Sequence, residues 1–405
     1  MAVTYPRGFR AGTAACGIKA FTAGASAIPS GQRDDLCVIH SAYPCDTGGV
    51  FTTNKVKSAS VVIDQLHLQR NRVQALTINS GNANACTGAQ GFRDALQMAK
   101  LSADRLDLDP DQVLVSSTGV IGRFLPMDAI KSGIAEACGR LTTDAGEAAA
   151  RAIMTTDTVP KTAHTELDFG GATVRLGGMC KGSGMIHPNM ATMLAYITTD
   201  ATVEPGLIGS IVRSVADRSF NQLTVDGDSS TNDSFLILAN GAAGNAPIRA
   251  GTPDAHRLQS AIENVARELA RSIARDGEGA TKLITVRVVD ATSDADARLA
   301  ARTVASSSLV KTAVHGGDPN WGRIVCALGY SGAELALDRL HLTIGGLVVF
   351  ERGAGVDVDL AAVRQAFEQP EIEIVATLGL GEGSAEAWGC DLSEEYVRIN
   401  ADYTT

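Results

Sequence analysis

The sequence predicts a layered α/β protein, of the α+β sandwich type, with more than one hydrophobic core. Short segments typical of strands alternate with longer amphipathic segments along the 405 residues, and such alternation is typical of helices layered on sheets. The chain also exceeds the length at which a single core stops growing, and 45% of its residues are hydrophobic. We therefore expect two domains, or two halves of one large layered domain.

Nine short segments are predicted to be strands, because most of them are rich in Val and Ile and are bounded by Gly, Asp or Asn. Their residue numbers are 36–39, 73–78, 113–117, 191–198, 234–239, 283–289, 324–328, 342–350 and 372–378. Most of the 42 glycines gather in short clusters between elements, where the backbone needs a positive φ or a close approach.

Three longer segments show the spacing of amphipathic helices, with apolar residues three or four positions apart. The residues that fall on one face are Phe92, Leu96, Ala99 and Ser102 in the first segment, Leu207, Ile211 and Val215 in the second, and Leu258, Ile262, Val265, Leu269 and Ile273 in the third. No internal repeat, low-complexity tract or long linker interrupts this pattern.

The composition argues against nucleic-acid binding and against a membrane protein. The formal net charge is -10 and only 4% of the residues are aromatic, so neither a basic face nor stacking platforms for bases are expected. No apolar run approaches membrane-spanning length, and the arginines near the N-terminus are not followed by an apolar signal core. We expect a cytoplasmic protein.

The eight cysteines never form a C-x-x-C motif, and none has a histidine at zinc-ligand spacing. We expect reduced, mostly buried thiols that behave as small apolar side chains. Residues 226–233 suggest a calcium loop at first sight, but Thr231 and Ile237 stand where an EF-hand needs Gly and Glu. Neither a metal nor a resident cofactor is predicted.

Common catalytic motifs are absent. The sequence contains no Walker phosphate loop, no G-x-G-x-x-G that opens a helix, and no G-x-S-x-G of the α/β-hydrolase type. Any catalysis must therefore use a different arrangement of residues.

The richest candidate segment is KGSGMIHPNMATMLAYITTDA, residues 181–201. A loop rich in Gly, Pro and Asn leads here into an apolar strand, and the Ala191–Thr192 bond lies at the junction. If the backbone is held under strain, the Thr192 hydroxyl can attack the preceding carbonyl, and hydrolysis of the resulting ester breaks the chain. The product would be an N-terminal threonine.

An N-terminal Thr192 would supply both a nucleophile and a base. Its α-amine has a reference pKa of about 8, against about 10.4 for a lysine side chain, so part of it is unprotonated near neutral pH. This is the threonine variant of covalent catalysis. The local pattern leaves a simpler interpretation open, because Thr at the start of a strand is ordinary β-propensity.

A second candidate lies in VLVSSTGVIGRFLPMD, which starts at residue 113. The Thr118 hydroxyl and the Gly119 amide could together donate to a developing oxyanion, and each donor of this kind contributes a few kcal/mol. A plain strand-to-turn transition is the alternative. Four further polar, glycine-bearing segments, at residues 78–88, 153–161, 276–282 and 309–323, could be binding loops or solvated turns.

Taken together, seven segments resemble the glutamate/ornithine N-acetyltransferases of arginine biosynthesis in both order and spacing. In chain order they are STGVIG, IMTTD, KGSGMIHPNMATML, TVDGDSSTNDS, DGEGATK, LVKTA followed by DPNWGR, and INADYTT. The resemblance covers nearly the whole chain. It favours catalysis by Thr192 over the simpler interpretation.

The resemblance implies a self-cleaving enzyme. The precursor would break between Ala191 and Thr192 into an α chain, residues 1–191, and a β chain, residues 192–405, that stay together as an α2β2 heterotetramer. The fold would be one shared with self-processing β-aminopeptidases. Thr192 would take the acetyl group of N-acetylornithine and pass it to glutamate in a ping-pong reaction. Whether acetyl-coenzyme A is a further donor is left open.

The resemblance also implies roles for individual residues. Thr118 and Gly119 match the family's oxyanion hole, and a further set matches positions that hold substrate: Thr155, Lys181, Thr192, Glu278, Asn400 and Thr405. A substrate carboxylate would suit Lys181, and an amine would suit Glu278. His187 is interpreted as a loop residue, since no carboxylate partner is evident in the sequence.

Two other interpretations remain. An N-terminal nucleophile aminopeptidase or amidase would use the same self-cleavage with water as the second acceptor. An unprocessed binding or scaffold protein would keep the fold without the cut. The segments DGEGATK and INADYTT favour the acetyltransferase, because they resemble its substrate-holding segments.

Overall fold

A computed structural model describes residues 2–19, 34–70, 72–187 and 193–402. Two mixed β-sheets and the helices packed on them make up this part of the chain. The predicted layered α/β architecture is confirmed. Among the described helices, none is both long and apolar enough to cross a membrane.

The first sheet has eight strands. They are β1 (Phe9–Ala14), β2 (Leu36–Phe51), β3 (Val73–Asn82), β4 (Val113–Val120), β5 (Lys161–Phe169), β6 (Ala172–Lys181), β7 (Leu194–Thr199) and β8 (Ser234–Ala239). Their order is β4-β3-β2-β8-β7-β6-β5, with β1 beside β2. The pairs β3/β4 and β7/β8 are parallel and the other pairs are antiparallel.

The second sheet has six strands and lies wholly in the second half of the chain. They are β9 (Leu283–Ala291), β10 (His341–Ile344), β11 (Leu347–Glu351), β12 (Ala354–Gly355), β13 (Glu371–Thr377) and β14 (Gly383–Cys390). The order is β12-β11-β10-β13-β9-β14, in which only β9 and β13 run parallel.

The described α-helices connect and cover these sheets. They are α1 (Ala59–His67), α2 (Gly88–Leu106), α3 (Met127–Gly139), α4 (Gly146–Ala152), α5 (Leu207–Asp217), α6 (Pro253–Arg275), α7 (Asp294–Ser306), α8 (Ser308–Gly316), α9 (Trp321–Gly329), α10 (Leu360–Phe367) and α11 (Glu394–Asp402). Helices α5 and α6 pack against the first sheet, and α7 packs against β9 and β14.

Two of the three predicted apolar helix faces are confirmed. All three positions named on α5 and all five named on α6 are buried. The start of α6 follows from local chemistry, because the Thr252 side chain accepts a hydrogen bond from the Ala255 N–H and Pro253 occupies the first turn.

The predicted face of α2 is partly wrong. Leu96 is 41% exposed and Phe92 is only half-buried, whereas the other two predicted positions, Ala99 and Ser102, are buried together with Ala95 and Met98. Apart from Met98, the apolar side chains that the helix buries are small, while Phe92 and Leu96 stay partly or largely exposed. A prediction based on the size of the apolar side chains alone therefore places the buried face of α2 incorrectly.

The predicted strand at 324–328 is wrong, because these residues belong to α9. Ile324, Ala327 and Leu328 are buried, which is the three-and-four spacing of a helix. The Asn320 side chain accepts a hydrogen bond from the Arg323 N–H at the helix start. A short apolar run has no periodicity that separates a buried strand from a buried helix turn.

The other predicted strands exist; 234–239 has the predicted limits, and the rest begin or end at different residues. The segment 36–39 begins a strand of 16 residues, and 342–350 is a hairpin whose turn uses Gly345 and Gly346, with φ of +56° and +81°. The described part of 191–198 is strand from Leu194, while Ala191 and Thr192 lie outside the described residues. Strands β1, β5, β6, β12 and β14 were not predicted.

The cysteine prediction is confirmed in part. All eight thiols are free, but only four are buried, while Cys16 and Cys138 are half-buried and Cys86 and Cys326 are exposed. The prediction that most of the thiols are buried is therefore wrong. Burial raises the pKa of Cys45 to about 12, so this thiol is protonated and unreactive at neutral pH.

Candidate active site

Six of the predicted site residues line one cavity, although they come from distant parts of the chain. They are Thr118, Gly119, Thr155, Lys181, Glu278 and Asn400. Met193, which follows Thr192 in the sequence, lines the same cavity. Ala191, Thr192 and Thr405 lie outside the described residues. The cavity of about 140 Å³ is small compared with sites for drug-sized ligands, and this favours a small metabolite.

The end of β4 brings Thr118 and Gly119 to the cavity. Parallel pairing places Gly119 opposite Gly81 on β3, and its φ is +128°. A Cβ atom at this position would lie 2.2 Å from the Gly81 carbonyl carbon. Both the backbone angle and the close approach therefore require glycine here.

Lys181 stands at the end of β6 and joins two of the predicted site hydroxyls. Its Nζ donates to the Thr155 Oγ1 at 2.7 Å and lies 3.4 Å from the Thr118 Oγ1. Burial lowers the pKa of Lys181, against the opposing charge of nearby carboxylates, first that of Asp157. Because Thr118 accepts from Lys181, its own hydroxyl proton can be donated into the cavity.

A buried ion cluster, formed by Asp157, Lys161 and Asp276, supports this arrangement. The Lys161 Nζ lies 2.7 Å from the Asp157 Oδ1 and 2.5 Å from the Asp276 Oδ2. Asp157 also accepts hydrogen bonds from the backbone N–H groups of Thr155 and Gly182. Burial alone would raise the pKa of Asp157, but Lys161 and Lys181 outweigh it and hold the pKa below its usual range.

Glu278 and Asn400 also line the cavity. The Asn400 side-chain amide donates to the Glu278 Oε2 at 2.8 Å, which ties α11 to the loop after α6. The Glu278 backbone N–H donates to the Ser183 carbonyl at 2.9 Å. A carboxylate oriented in this way can receive a substrate amine.

Asp226 holds the loop that leads toward the predicted cleavage site. Its carboxylate accepts hydrogen bonds from the N–H groups of Met185 and Ile186, at 2.5 Å and 2.8 Å. Met185 has a φ of +56°, a conformation that costs a non-glycine residue free energy and persists only when its surroundings enforce it. Burial raises the pKa of Asp226.

His187 lies at the end of this loop with its Nδ1 2.9 Å from the Thr224 Oγ1. Burial, followed by the positive charge of Arg302, lowers the pKa of His187 to about 4. The imidazole is therefore neutral at physiological pH. This geometry is consistent with the interpretation of His187 as a loop residue.

Several residues that line the cavity or form the ion cluster beside it were not predicted from the sequence. They are Asp157, Lys161, Asp226, Asp233, Asp276 and Tyr396. All but Tyr396 lie within segments that had been singled out for their composition, but their pairing depends on contacts between distant segments.

The segment 309–323 is not part of the cavity. Its Lys311 donates to the Cys390 carbonyl, and the His315 Nδ1 lies 2.8 Å from the Asp391 carboxylate. These contacts tie α8 to the end of β14. The interpretation of this segment as a binding loop is therefore not supported by the geometry, and its contacts are structural.

The fold and the site together define a class of enzyme. A cavity in a layered α/β protein combines a hydroxyl and a glycine amide at a strand end with a lysine and several carboxylates. Donors placed in this way can stabilise the oxyanion that develops during acyl transfer. An acyltransferase is the class that this arrangement fits.

Comparisons with known proteins identify the family. The ArgJ family profile matches residues 10–405. The arginine biosynthesis bifunctional protein ArgJ of Symbiobacterium thermophilum is 50% identical over 403 residues, which cover 100% of this chain and 98% of the relative. The protein of the same name from Dehalococcoides mccartyi is 47% identical over 403 residues, covering 100% and 97%.

A solved structure agrees. A crystal structure of the arginine biosynthesis bifunctional protein ArgJ from Bacillus halodurans matches with 40% identity and a TM-score of 0.50, covering 51% of this chain and 98% of that chain. The chain belongs to the ArgJ family. It is an acyltransferase of arginine biosynthesis.

Proposed function

We propose that the protein transfers the acetyl group of N-acetylornithine to glutamate in a ping-pong reaction, with Thr192 as the nucleophile. One observation carries the proposal: Thr118, Gly119 and Lys181 line a single cavity with Met193, the residue bonded to Thr192. Consecutive Cα atoms lie about 3.8 Å apart. The residue next to Thr192 in the chain therefore lines the same cavity as the candidate oxyanion donors.

The first reaction in this proposal is self-cleavage. The Thr192 hydroxyl attacks the Ala191 carbonyl carbon, the C–N bond breaks, and the ester that results is hydrolysed by water. The products are an α chain, residues 1–191, and a β chain, residues 192–405, with a free α-amine on Thr192. Asp226 supports this step, since it holds the preceding loop with Met185 in its left-handed conformation.

Acetyl transfer follows at the same residue. The α-amine takes the hydroxyl proton while the Thr192 oxygen attacks the acetyl carbonyl, and ornithine leaves an acetyl ester behind. The Thr118 hydroxyl and the Gly119 N–H donate to the oxyanion, which is the interaction that strengthens in the transition state. The glutamate amine then attacks the ester, which gives N-acetylglutamate and restores the hydroxyl.

The charges in the cavity suit these substrates. Lys181 supplies a cation for a substrate carboxylate, with Thr155 as its neighbour. Glu278, oriented by Asn400, supplies an acceptor for an amine. Thr405 completes the proposed binding set.

Further parts of the proposal concern assembly and setting. We place the enzyme in the cytoplasm as an α2β2 heterotetramer that needs no resident cofactor. Acetyl-coenzyme A is the additional donor to examine, because the relatives described above are named bifunctional. Initial rates with acetyl-coenzyme A and with N-acetylornithine, at fixed glutamate, measure this second activity.

The decisive experiment incubates the purified protein with N-acetylornithine and glutamate. We expect N-acetylglutamate and ornithine in equal amounts. Acetate without N-acetylglutamate would instead identify the aminopeptidase or amidase alternative. The matched control is Thr192→Ala, for which we expect an intact precursor on denaturing electrophoresis and no transfer; wild-type activity in this variant would remove Thr192 from the mechanism.

A further inference from the structure

Asp233 is a buried carboxyl group in the cavity to which no role has been given. It directly precedes β8, is 2% exposed, and lines the cavity together with Thr118 and Lys181. Its Oδ2 atom is enclosed and has no hydrogen-bond partner. An unpaired buried carboxyl oxygen is costly, so its persistence calls for an explanation.

The surroundings of Asp233 favour the protonated carboxylic acid. Burial raises the pKa of Asp233 well above its usual range, and the hydroxyls of Ser230 and Thr52 and the Lys181 cation offset this only in part. Lys181 is also engaged by Thr155 and Thr118. The carboxyl group can thus carry a proton that a substrate group in the cavity receives.

The other cavity acids are engaged elsewhere or open to solvent. Asp226 is occupied by the backbone N–H groups of its loop, and Glu278 accepts from Asn400. Asp228 is exposed. Among the described residues that line the cavity, Asp233 is therefore the enclosed carboxyl group with an uncommitted oxygen.

Strand pairing sets Asp233 next to the chain that carries the nucleophile. The Ser234 N–H donates to the Met193 carbonyl at 2.9 Å, and Leu194 pairs with Ser234 in the parallel β7/β8 register. Asp233 therefore precedes the residue that is hydrogen-bonded to Met193. Asp233 lines the cavity at the level where β7 begins.

We propose that Asp233 delivers a proton to the amine that leaves, and takes one from the amine that enters, during acetyl transfer. The inference rests on the proposed function. It adds a second proton carrier to the α-amine of Thr192, because an amide nitrogen must be protonated before it can depart. General acid catalysis of this kind contributes roughly 10²- to 10⁴-fold in rate.

The proton balance closes over one turnover. In the first half, the Thr192 hydroxyl proton passes to the α-amine, the Asp233 proton passes to the amide nitrogen, the C–N bond breaks, and the C–O bond of the acetyl ester forms. In the second half, the attacking glutamate amine gives a proton to the Asp233 carboxylate. The C–O bond then breaks, and the α-ammonium returns its proton to the Thr192 oxygen.

The experiment compares two acetyl donors in single turnovers of the cleaved enzyme. N-acetylornithine needs a proton on its leaving nitrogen, whereas p-nitrophenyl acetate releases a phenolate that departs without one. For Asp233→Asn we expect release of ornithine to fall by about 10²-fold or more, while the first-turnover burst of p-nitrophenolate stays close to the wild-type rate. Thr192→Ala supplies the background ester cleavage to subtract.

Asp64→Asn is the matched control. Asp64 is also fully buried with an unpartnered Oδ2, and its Oδ1 accepts from the Val115 N–H, but it does not line the cavity. We expect wild-type rates with both donors. A loss here equal to that in Asp233→Asn would assign the effect to removal of any buried carboxyl group and overturn the proposal.

The outcomes separate this inference from the proposed function. If the wild type releases no ornithine from N-acetylornithine, the proposed function fails. If the wild type is active and Asp233→Asn slows both donors equally, or neither, the role of Asp233 fails alone. All rates are divided by the fraction of enzyme that is cleaved. If Asp233→Asn stays uncleaved, Asp233→Glu is compared in its place. Equal slowing of the reactions with both donors in that variant also contradicts the proposal.

Discussion

At the scale of single residues, a buried lysine determines the direction in which the threonine hydroxyls of the site donate their hydrogen bonds. Lys181 donates to the hydroxyl of Thr155 and lies beside that of Thr118. A threonine hydroxyl has one proton to give, and its acceptor side is used by the lysine. The Thr118 proton is thereby available to a substrate oxygen.

Replacing Thr118 by Val tests this donor, because Val keeps the branched shape and removes the hydroxyl. We expect both self-cleavage and acetyl transfer to slow by about 10²- to 10³-fold, the usual effect of losing one oxyanion donor. Time courses on denaturing gels and N-acetylglutamate formation measure the two steps. Thr118→Ser keeps the hydroxyl and should retain most activity, and normal rates of both steps in Thr118→Val would exclude Thr118 from the site.

A pH profile tests His187. Its pKa of about 4 keeps the ring neutral over the range of about pH 5 to 8 in which an ordinary histidine titrates. We expect kcat/KM to rise toward the pKa of an α-amine, about 8, as the base loses its proton. His187→Gln should show the same rise of kcat/KM at the same pH. If the rise is absent in this variant, His187 is the base.

At the scale of elements, the buried ion cluster of Asp157, Lys161 and Asp276 joins β5 to the end of α6. Asp157 also accepts from the N–H group of Gly182, which follows Lys181, and from that of Thr155, whose hydroxyl accepts from Lys181. These contacts therefore join the strand end, the preceding loop and the helix end into one hydrogen-bonded unit. The orientation of Lys181 depends on this unit.

Lys161→Met removes the cation from the cluster and leaves two carboxylates in a buried site. We expect a loss of about 3–5 kcal/mol in the free energy of unfolding, since an uncompensated buried charge remains. Urea unfolding measures the change. Transfer activity should fall as well, because Gly182 and Thr155 lose a fixed acceptor.

The surface ion pair of Arg151 and Glu147 provides the control. Its side chains are 59% and 63% exposed, and such pairs contribute about 0.2–1 kcal/mol. Arg151→Met should therefore change stability far less than Lys161→Met. Equal effects of the two substitutions would show that the buried cluster has no special structural role.

At the scale of the whole molecule, the proposed cleavage would divide a chain whose two parts share one sheet. Strand β7 lies between β6 and β8, and β8 pairs with β2. One core also contains Val174 and Leu176 from the first part and Ile262 and Leu269 from the second, all buried. Separation would break both strand ladders and expose this core.

We therefore expect the two fragments to remain associated after cleavage. Size-exclusion chromatography without denaturant should give one peak that contains both fragments on a denaturing gel. The uncleaved Thr192→Ala precursor should elute at the same volume. Elution of the fragments in separate peaks would contradict the shared-sheet argument.

Much of the fold could be predicted because its signals are local. The spacing on α5 and α6 and the Val- and Ile-rich strands follow from which side chains sit three, four or two positions apart. The errors occurred where local signals are weak. The run 324–328 is too short to show a period, and α2 buries mainly small residues, with Met98 as the exception, rather than Phe92 and Leu96.

Sequence by itself determined the family, the candidate oxyanion pair Thr118 and Gly119, and most of the proposed binding set, because residue types at ordered spacings carry that information. Only the tertiary structure decided that these residues share one cavity. It also decided that Lys161 neutralises Asp157 and that Asp233 keeps an unpaired oxygen. Charge pairing and desolvation depend on contacts between residues far apart in the chain, and these arise only when the sheets assemble.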